Sequence, residues 1–258
     1  VTNMIKNEEL LRTYAPAAFA TAPEEGKVSD RYTFLPTTDI LEILQDEGWT
    51  AWKAQQVNAR KWSQDHAKHI IRLRHEDMDI QSFGVGDSFP EMLLINAHNG
   101  LGGYTLQGGI FRMVCSNGMV ISERDFGKVH IRHIGFKPEQ VVTASKQLIL
   151  DSSRIASKID TWQETEMTQR SRKDFFADAA KLRFEDPDEG LITDIATPRR
   201  VEDQKTDLWT TFNVAQENLL RGGFRNGMTN RMVRPISNIQ KDVNLNSQLW
   251  DLASTYSE

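Results

Sequence analysis

Cysteine is almost absent from this sequence, and its scarcity excludes two kinds of stabilising site. Cys115 is the one cysteine in 258 residues, so an internal disulfide cannot form and zinc sites built on cysteine pairs are excluded. No apolar run approaches the ~20 residues that span a bilayer. The opening VTNMIKNEELL has no apolar signal core, so we expect no membrane partner and a cytoplasmic location. A first residue other than Met suggests a fragment.

Familiar catalytic and cofactor motifs are missing as well. The sequence contains no GxSxG, no SxxK followed by KTG, no GxxxxGK[ST], no GxGxxG and no HExxH. Cys115 lies within the apolar run FRMVC, where sulfur is usually core packing. His130 and His133 would project from opposite faces of a strand. We therefore predict no cofactor, no metal and no catalytic residue, which favours a binding function and leaves an enzyme open.

Charge is present in both signs but unevenly placed. The net charge is −5, which argues against a uniformly basic coat. Residues 52–75 nevertheless carry six Lys and Arg against Asp65 alone, and residues 218–241 carry five with no acid. Such segregation produces either a basic groove on an acidic protein or merely solvated faces.

The first half of the chain is predicted to be rich in strands after an N-terminal arm at residues 1–30. Residues 37–47 have the caps and apolar stripe of a helix that Gly48 ends. HIIRLRH at 69–75 alternates as a half-buried strand does. Further strands follow in MLLINAH, YTLQGGIFRMVC and KVHIRHI, and Asn117-Gly118 is a hairpin signal.

The second half is predicted to be helical. A helix of about 25 residues begins at Pro138, and others cover about 166–183, 204–221 and 239–254, with a loop at PDEG (187–190). Strand hairpins followed by helices predict an α+β fold, an antiparallel sheet packed against long helices. We expect one domain over residues 31–258, sheet-rich at 31–135 and helical at 136–258.

Arginines supply the candidate phosphate ligands. Arg72 and Arg74 would project from one side of a strand, with two more on neighbouring strands. The acid-free loop RGGFRNGMTNRMVRP adds four, and its Phe224 offers a stacking face. Because guanidinium groups suit phosphates, we predict nucleic-acid contact by Arg72, Arg74, Arg112, Arg132, Arg221, Arg225, Arg231 and Arg234. The alternative is that these arginines pair with the protein's own carboxylates.

A second set of polar residues suggests a pocket instead. One predicted helix carries four polar or aromatic residues whose spacing places them on a shared surface: Trp209, Asn213, Gln216 and Glu217. This surface is either a seam that packs against another helix or a stripe that faces a ligand. An enzyme of unknown reaction would gather Arg112 with His98, Asn117, His133, Asn213, Gln216 and Glu217.

Several segments together resemble a known family. SDRYTFLPTTDILEILQDEGW, KHIIRLRH, LLINAHNG, FRMVCSNGM and DLWTTFNVAQENLLRGG resemble the plasmid- and phage-encoded proteins that carry domain of unknown function 932. The resemblance runs from about Ser29 to Gly223 and implies a mobile-element protein of the bacterial cytoplasm.

The order of elements is also similar to that of phage single-strand annealing recombinases. That likeness implies single-stranded DNA as partner and assembly into homo-oligomeric rings or filaments. Single-strand binding and annealing in recombination is therefore the leading hypothesis. An interaction protein that counters host defence is a further alternative.

Overall fold

The chain is an α+β protein, with an antiparallel sheet in its first half and helices in its second half, as predicted. This computed structural model describes residues 5–26, 28, 32–58, 63–76, 88–99, 104–112, 118–120, 128–131, 137–227 and 229–257. The side chains of residues 88–90, 110–112, 118–120, 128–131 and 152–153 fall outside that description.

The chain divides into two compact units. The first comprises Val1–Gly84, Ser88–Ile110 and Phe126–Ser152, and the second comprises Val85–Asp87, Phe111–Asp125 and Ser153–Glu258. This division does not test the single domain predicted for residues 31–258, which stays a prediction.

The sheet of the first unit follows the chain from strand to strand. Its strands are β1 (Trp49–Gln56), β2 (His69–His75), β3 (Ser88–Asn96) and β4 (Tyr104–Arg112), and β6 (Lys128–Ile131) pairs with β4. The short β5 (Gly118–Val120) falls in the second unit. β1 with β2, β2 with β3, and β4 with β6 run antiparallel.

Alternation along β2 separates core from surface. Ile71 and Leu73 are buried, with Leu94 and Met92 as their partners on β3. Arg72 and Arg74 occupy the intervening, half-buried positions. Because successive side chains of a strand point to opposite faces, one face of β2 contributes to the core and the other carries both arginines.

The segment predicted as an N-terminal arm contains, in its described part, a helix that covers the first strand. α1 (Glu8–Tyr14) packs against β1, and Nδ2 of Asn7 donates to the carbonyl of Ala51 at 2.7 Å. A 3₁₀ turn at Pro16–Phe19 follows. Covering an edge strand in this way removes exposed pairing groups from the sheet edge.

The predicted first-half helix is confirmed as α2 (Thr37–Asp46), with Ile40, Leu41 and Leu44 buried. Gly48 ends it, as predicted, in a backbone conformation with φ of 88°. A Cβ there would lie 2.8 Å from Nε2 of His75, so no larger residue fits. Thr37 is the first helical residue rather than the N-cap, which is Pro36.

Five α-helices lie within the described residues of the second half of the chain. α3 (Pro138–Glu164) is the long predicted helix, and α4 (Gln169–Lys181), α5 (Glu189–Ala196), α6 (Leu208–Arg221) and α7 (Ile239–Thr255) follow. Within the described residues no helix has both the length and the apolarity needed to cross a membrane. The loop predicted over PDEG is wrong at its end, because Asp188 accepts a hydrogen bond from the Leu191 N–H at 2.7 Å and caps α5.

α6 lies at the centre of the second unit. Every residue from Leu208 to Leu220 is buried. Its Phe212 lies with its ring centroid 5.7 Å from that of Trp162, which in turn is 4.4 Å from that of Trp250. This aromatic core holds α6 in place, and the basic segment follows its C-terminal end.

Candidate nucleic-acid interface

The basic segment that follows α6 folds back as a hairpin. Gly222 and Gly223 have φ of 60° and 88° and turn the chain out of the helix. The Gly223 N–H donates to the Val233 carbonyl and the Val233 N–H to the Phe224 carbonyl, each at 2.8 Å. At the tip, Oδ1 of Asn226 accepts from the Thr229 N–H at 2.9 Å. The acid-free loop of the sequence is therefore a hydrogen-bonded hairpin.

Arg183 fixes this hairpin to the helical core. Its guanidinium donates to the carbonyls of Leu219 and, at 2.5 Å, Arg234. Burial lowers the pKa of Arg183. Its guanidinium donates to the two carbonyls and not to a carboxylate of the described residues. The Ile236 N–H adds a further bond to the Leu220 carbonyl at 2.9 Å, so both ends of the hairpin are held on α6.

An open groove of about 640 Å³ lies against the hairpin and the start of α7. Arg231, Arg234 and Lys241 line it together with the partly buried Arg183, and no described carboxylate belongs to its lining. Arg231, Arg234 and Lys241 are exposed, and none of the three forms an ion pair within the described residues. The groove therefore presents concentrated positive charge.

The start of α7 adds to this potential. Asn238 caps the helix by accepting from the Lys241 N–H at 3.0 Å, and both residues line the groove. A helix N-terminus carries a partial positive charge. Apolar side chains alternate with the cations, among them Phe184, Met232 and Pro235, and Met232 is 53% exposed. The arrangement suits a ligand with anionic and apolar parts.

The remaining arginines of the predicted loop have other neighbours. Arg225 is exposed and donates to the Asn230 carbonyl at 3.1 Å across the hairpin. Arg221 lies 3.0 Å from Oε1 of Glu217, which Arg200 also contacts at 2.8 Å. Burial raises the pKa of Glu217, but the hydrogen bond and charge of Arg200 and the charges of Arg221 and Arg199 outweigh it and lower the pKa. Arg221 thus pairs with a carboxylate, and its predicted contact with nucleic acid stays a prediction.

The polar side chains along α6 form hydrogen bonds within the second unit. Nδ2 of Asn213 donates to the Trp209 carbonyl at 2.6 Å, and Nε2 of Gln216 donates to Oδ1 of Asn246 at 3.0 Å. Both side chains are buried. The Gln216 bond joins α6 to α7 and the Asn213 bond lies within α6, and the pocket predicted from these residues stays a prediction.

Arg72 and Arg74 also have a carboxylate partner. Their Nε atoms each lie 2.6 Å from an oxygen of Glu91, which is buried. Since one carboxylate serves two guanidinium groups, the three residues keep a net charge of +1. Their predicted contact with nucleic acid stays a prediction.

His98 belongs to a buried polar cluster of the first unit. Oγ1 of Thr37 lies 3.1 Å from Nε2 of His98 and 3.0 Å from Nε2 of His69. Nδ2 of Asn96 donates to the same hydroxyl at 3.1 Å. Among the described residues His98 therefore lies with these groups, and Asn213, Gln216 and Glu217 lie in the second unit.

Some predicted residues cannot be placed. Asn117, Arg132 and His133 lie outside the described residues, as does Cys115, and the side chain of Arg112 does so as well. The described part of the chain contains no group of three His, Cys, Asp or Glu side chains that would hold a metal ion.

Lys241, Arg183 and Phe184 were not among the predicted site residues. Lys241 lies at the end of the acid-free run, so the charge pattern contained the signal that would have found it. Arg183 and Phe184 follow the end of α4, and no local pattern connects that segment with the hairpin.

Comparisons with known proteins agree with the family resemblance. Residues 25–250 match the family described as Domain of unknown function (DUF932). UPF0380 protein YfjQ of Escherichia coli (strain K12) is 35% identical over 256 residues, 97% of this chain and 91% of that protein. UPF0380 protein YafZ of the same strain is 35% identical over 254 residues, 96% and 90% of the two chains. No solved structure matches. The chain therefore belongs to the DUF932 family.

Proposed function

We propose that this protein binds nucleic acid, with single-stranded DNA as the preferred form, and promotes strand annealing in the recombination of mobile DNA. The observation that carries the proposal is the groove at the hairpin, where Arg231, Arg234 and Lys241 are exposed without a carboxylate in the described lining. The overall charge of −5 makes this concentration of cations a local feature rather than a consequence of composition.

Phosphates are the ligands that these cations favour. Guanidinium forks donate paired hydrogen bonds to phosphate oxygens, and the N-terminus of α7 stabilises negative charge beside them. Phe184 and Met232 supply apolar contact between the cations. A duplex presents mainly sugar and phosphate to an open groove, whereas an unpaired strand also presents base faces, so the mixed lining favours single strands.

The mobile-element role rests on the family resemblance, and annealing rests on the similarity of the element order to that of phage single-strand annealing recombinases, rather than on the groove. Annealing brings two strands together, so the proposal includes self-association of the chain on DNA. The printed names of the relatives specify no activity.

The experiment measures fluorescence anisotropy of labelled single-stranded and duplex DNA at about 50 mM and about 200 mM salt. We expect tighter binding to the single strand and an affinity about 20-fold lower at the higher salt, the effect of about three neutralised phosphates. The double variant Arg231→Gln, Arg234→Gln is expected to bind both the single-stranded and the duplex DNA more weakly. Arg170→Gln, which alters an arginine on α4 whose side chain is 94% exposed, serves as the matched control and leaves affinity unchanged.

Two results would contradict the proposal. One is the absence of binding to either DNA at the lower salt. The other is equal affinity of the double variant and the Arg170→Gln control, which would move binding away from the hairpin groove.

A further inference from the structure

We propose that Trp52, at a bulge in the first strand of the sheet, is a stacking platform for one unpaired nucleobase of a bound single strand. The inference deepens the proposed function and rests on it. It concerns the first unit by itself, whereas the hairpin groove belongs to the second.

A β-bulge brings Trp52 to the surface. In the pairing of β1 with β2, Ala51 is opposite Leu73 and Lys53 is opposite Arg72, so Trp52 is the extra residue. The alternation of buried and exposed positions is interrupted here, and Trp52 and Lys53 are both exposed. A bulge re-aims a side chain in this way, and a strand without it would not expose two successive residues.

The exposed indole stands apart from the other described tryptophans. Trp52 is 51% exposed, whereas Trp49, Trp162, Trp209 and Trp250 are each at most 4% exposed. Its one ring contact among the described residues is with Arg74, whose guanidinium carbon lies 3.9 Å from the ring centroid. A half-exposed indole beside a cation presents an aromatic surface on which a ligand ring can stack.

Arg74 holds the ring in a fixed orientation. Its Nε lies 2.6 Å from Oε1 of the buried Glu91, and its side chain is only 11% exposed. The guanidinium is thus anchored from below and stacks on one side of the indole. Because the platform is already ordered before a ligand arrives, stacking on it loses little side-chain entropy.

The charge beside the ring fits the phosphates that flank a base. Three cations, Lys53, Arg72 and Arg74, lie at this part of the sheet, and Glu91 is the carboxylate that the two arginines share. A planar base on the ring with a phosphate near these cations satisfies both features. Stacking of this type tolerates any base, because every base has a π face.

The test compares an oligothymidylate of about 20 nucleotides with an abasic strand of the same length, which keeps the phosphates and lacks the bases. Wild-type protein is expected to bind the oligothymidylate at least about fivefold more tightly, the effect of one stacked base. Trp52→Ala reduces that ratio and leaves affinity for the abasic strand unchanged. Trp52→Phe, which keeps an aromatic ring, retains most of the ratio.

Tyr14→Ala is the matched control, because Tyr14 is another exposed aromatic residue of the first unit, at 60%. It leaves both affinities unchanged, and a melting curve for each variant confirms folding. The double variant Arg231→Gln, Arg234→Gln, by contrast, weakens binding of both strands.

Each remaining outcome overturns a stated part of the account. If wild type discriminates between the strands and Trp52→Ala discriminates equally, the platform is refuted and the proposed function stands. If wild type binds both strands equally, base stacking is refuted and phosphate binding stands. If wild type binds neither strand, the platform and the proposed function fail together.

Discussion

The Thr37 hydroxyl has more polar neighbours than one hydroxyl can serve. Within 3.3 Å of its oxygen lie Nε2 of His69, Nε2 of His98, the Tyr104 hydroxyl and Nδ2 of Asn96. A hydroxyl donates once and accepts twice. Nδ1 of His69 lies 3.0 Å from the Ala67 carbonyl, which can only accept, so Nδ1 donates there. Nε2 is therefore the nitrogen without a proton when His69 is neutral, and in that state it can accept from the Thr37 hydroxyl.

Burial lowers the pKa of His69 to about 4, although the hydrogen bond to Ala67 opposes the change. Because an unfolded chain has a His pKa of about 6.5, the unfolded state takes up the proton first as pH falls. The contribution of His69 to the free energy of unfolding is therefore complete above about pH 6.5 and is lost as the pH falls toward 4. We predict that this residue alone makes the free energy of unfolding about 2 kcal/mol lower at about pH 5 than at about pH 7.5.

Urea unfolding at the two pH values, in wild type and in His69→Gln, tests this prediction. The variant removes the titrating group, so its free energy of unfolding should change less between the two pH values. An identical change in both proteins would show that His69 is not buried and neutral.

The ion-pair partner of Arg72 and Arg74 could not be predicted from a local sequence pattern. Alternation within HIIRLRH predicts that both project from one side of a strand, and they do occupy equivalent positions. Their partner Glu91 is 19 and 17 residues away, on a neighbouring strand. A long-range ion pair of this kind depends on strand register, which no local pattern specifies.

Among the elements, the hairpin after α6 depends most on one backbone position. A Cβ at Gly222 would lie 2.4 Å from the Val233 carbonyl oxygen, and φ there is 60°. Gly222→Ala is therefore predicted to lower the free energy of unfolding by about 2 kcal/mol or more. Urea denaturation measures this change.

Gly190→Ala is the control for that substitution. Gly190 lies in the first turn of α5, where a Cβ meets only Oδ1 of Asp188, at 3.3 Å. Alanine is favoured over glycine in a helix by up to about 1 kcal/mol, so this variant should be as stable as wild type or slightly more stable. Equal stabilities for the two alanine variants would contradict the hairpin geometry.

Element types were predictable where periodicity was strong. The long apolar repeat after Pro138 predicted α3. The helix predicted over about 204–221 is α6, which ends at Arg221. β1 was not predicted, because the bulge at Trp52 interrupts its alternation. α5 was not predicted, because PDEG is typical of a loop, although an Asp before an acidic first turn is also an N-cap signal.

For the molecule as a whole, uneven charge was the most informative property of the sequence. The acid-free run of residues 218–241 corresponds to the hairpin and the start of α7, where three exposed cations share one groove. Composition indicated that cations would cluster but not which would meet. Arg221 pairs with Glu217 and Arg225 bridges the hairpin, so half of the four predicted arginines in this loop line the groove.

The salt dependence of single-strand binding tests the central claim most directly. The logarithm of the binding constant is measured against the logarithm of salt concentration for wild type and for Arg231→Gln, Arg234→Gln. Three groove cations predict a slope of about −2 or steeper for wild type, and loss of two makes the slope shallower by about 1.4. A flat wild-type dependence, or the same slope in both proteins, would contradict phosphate binding at this groove.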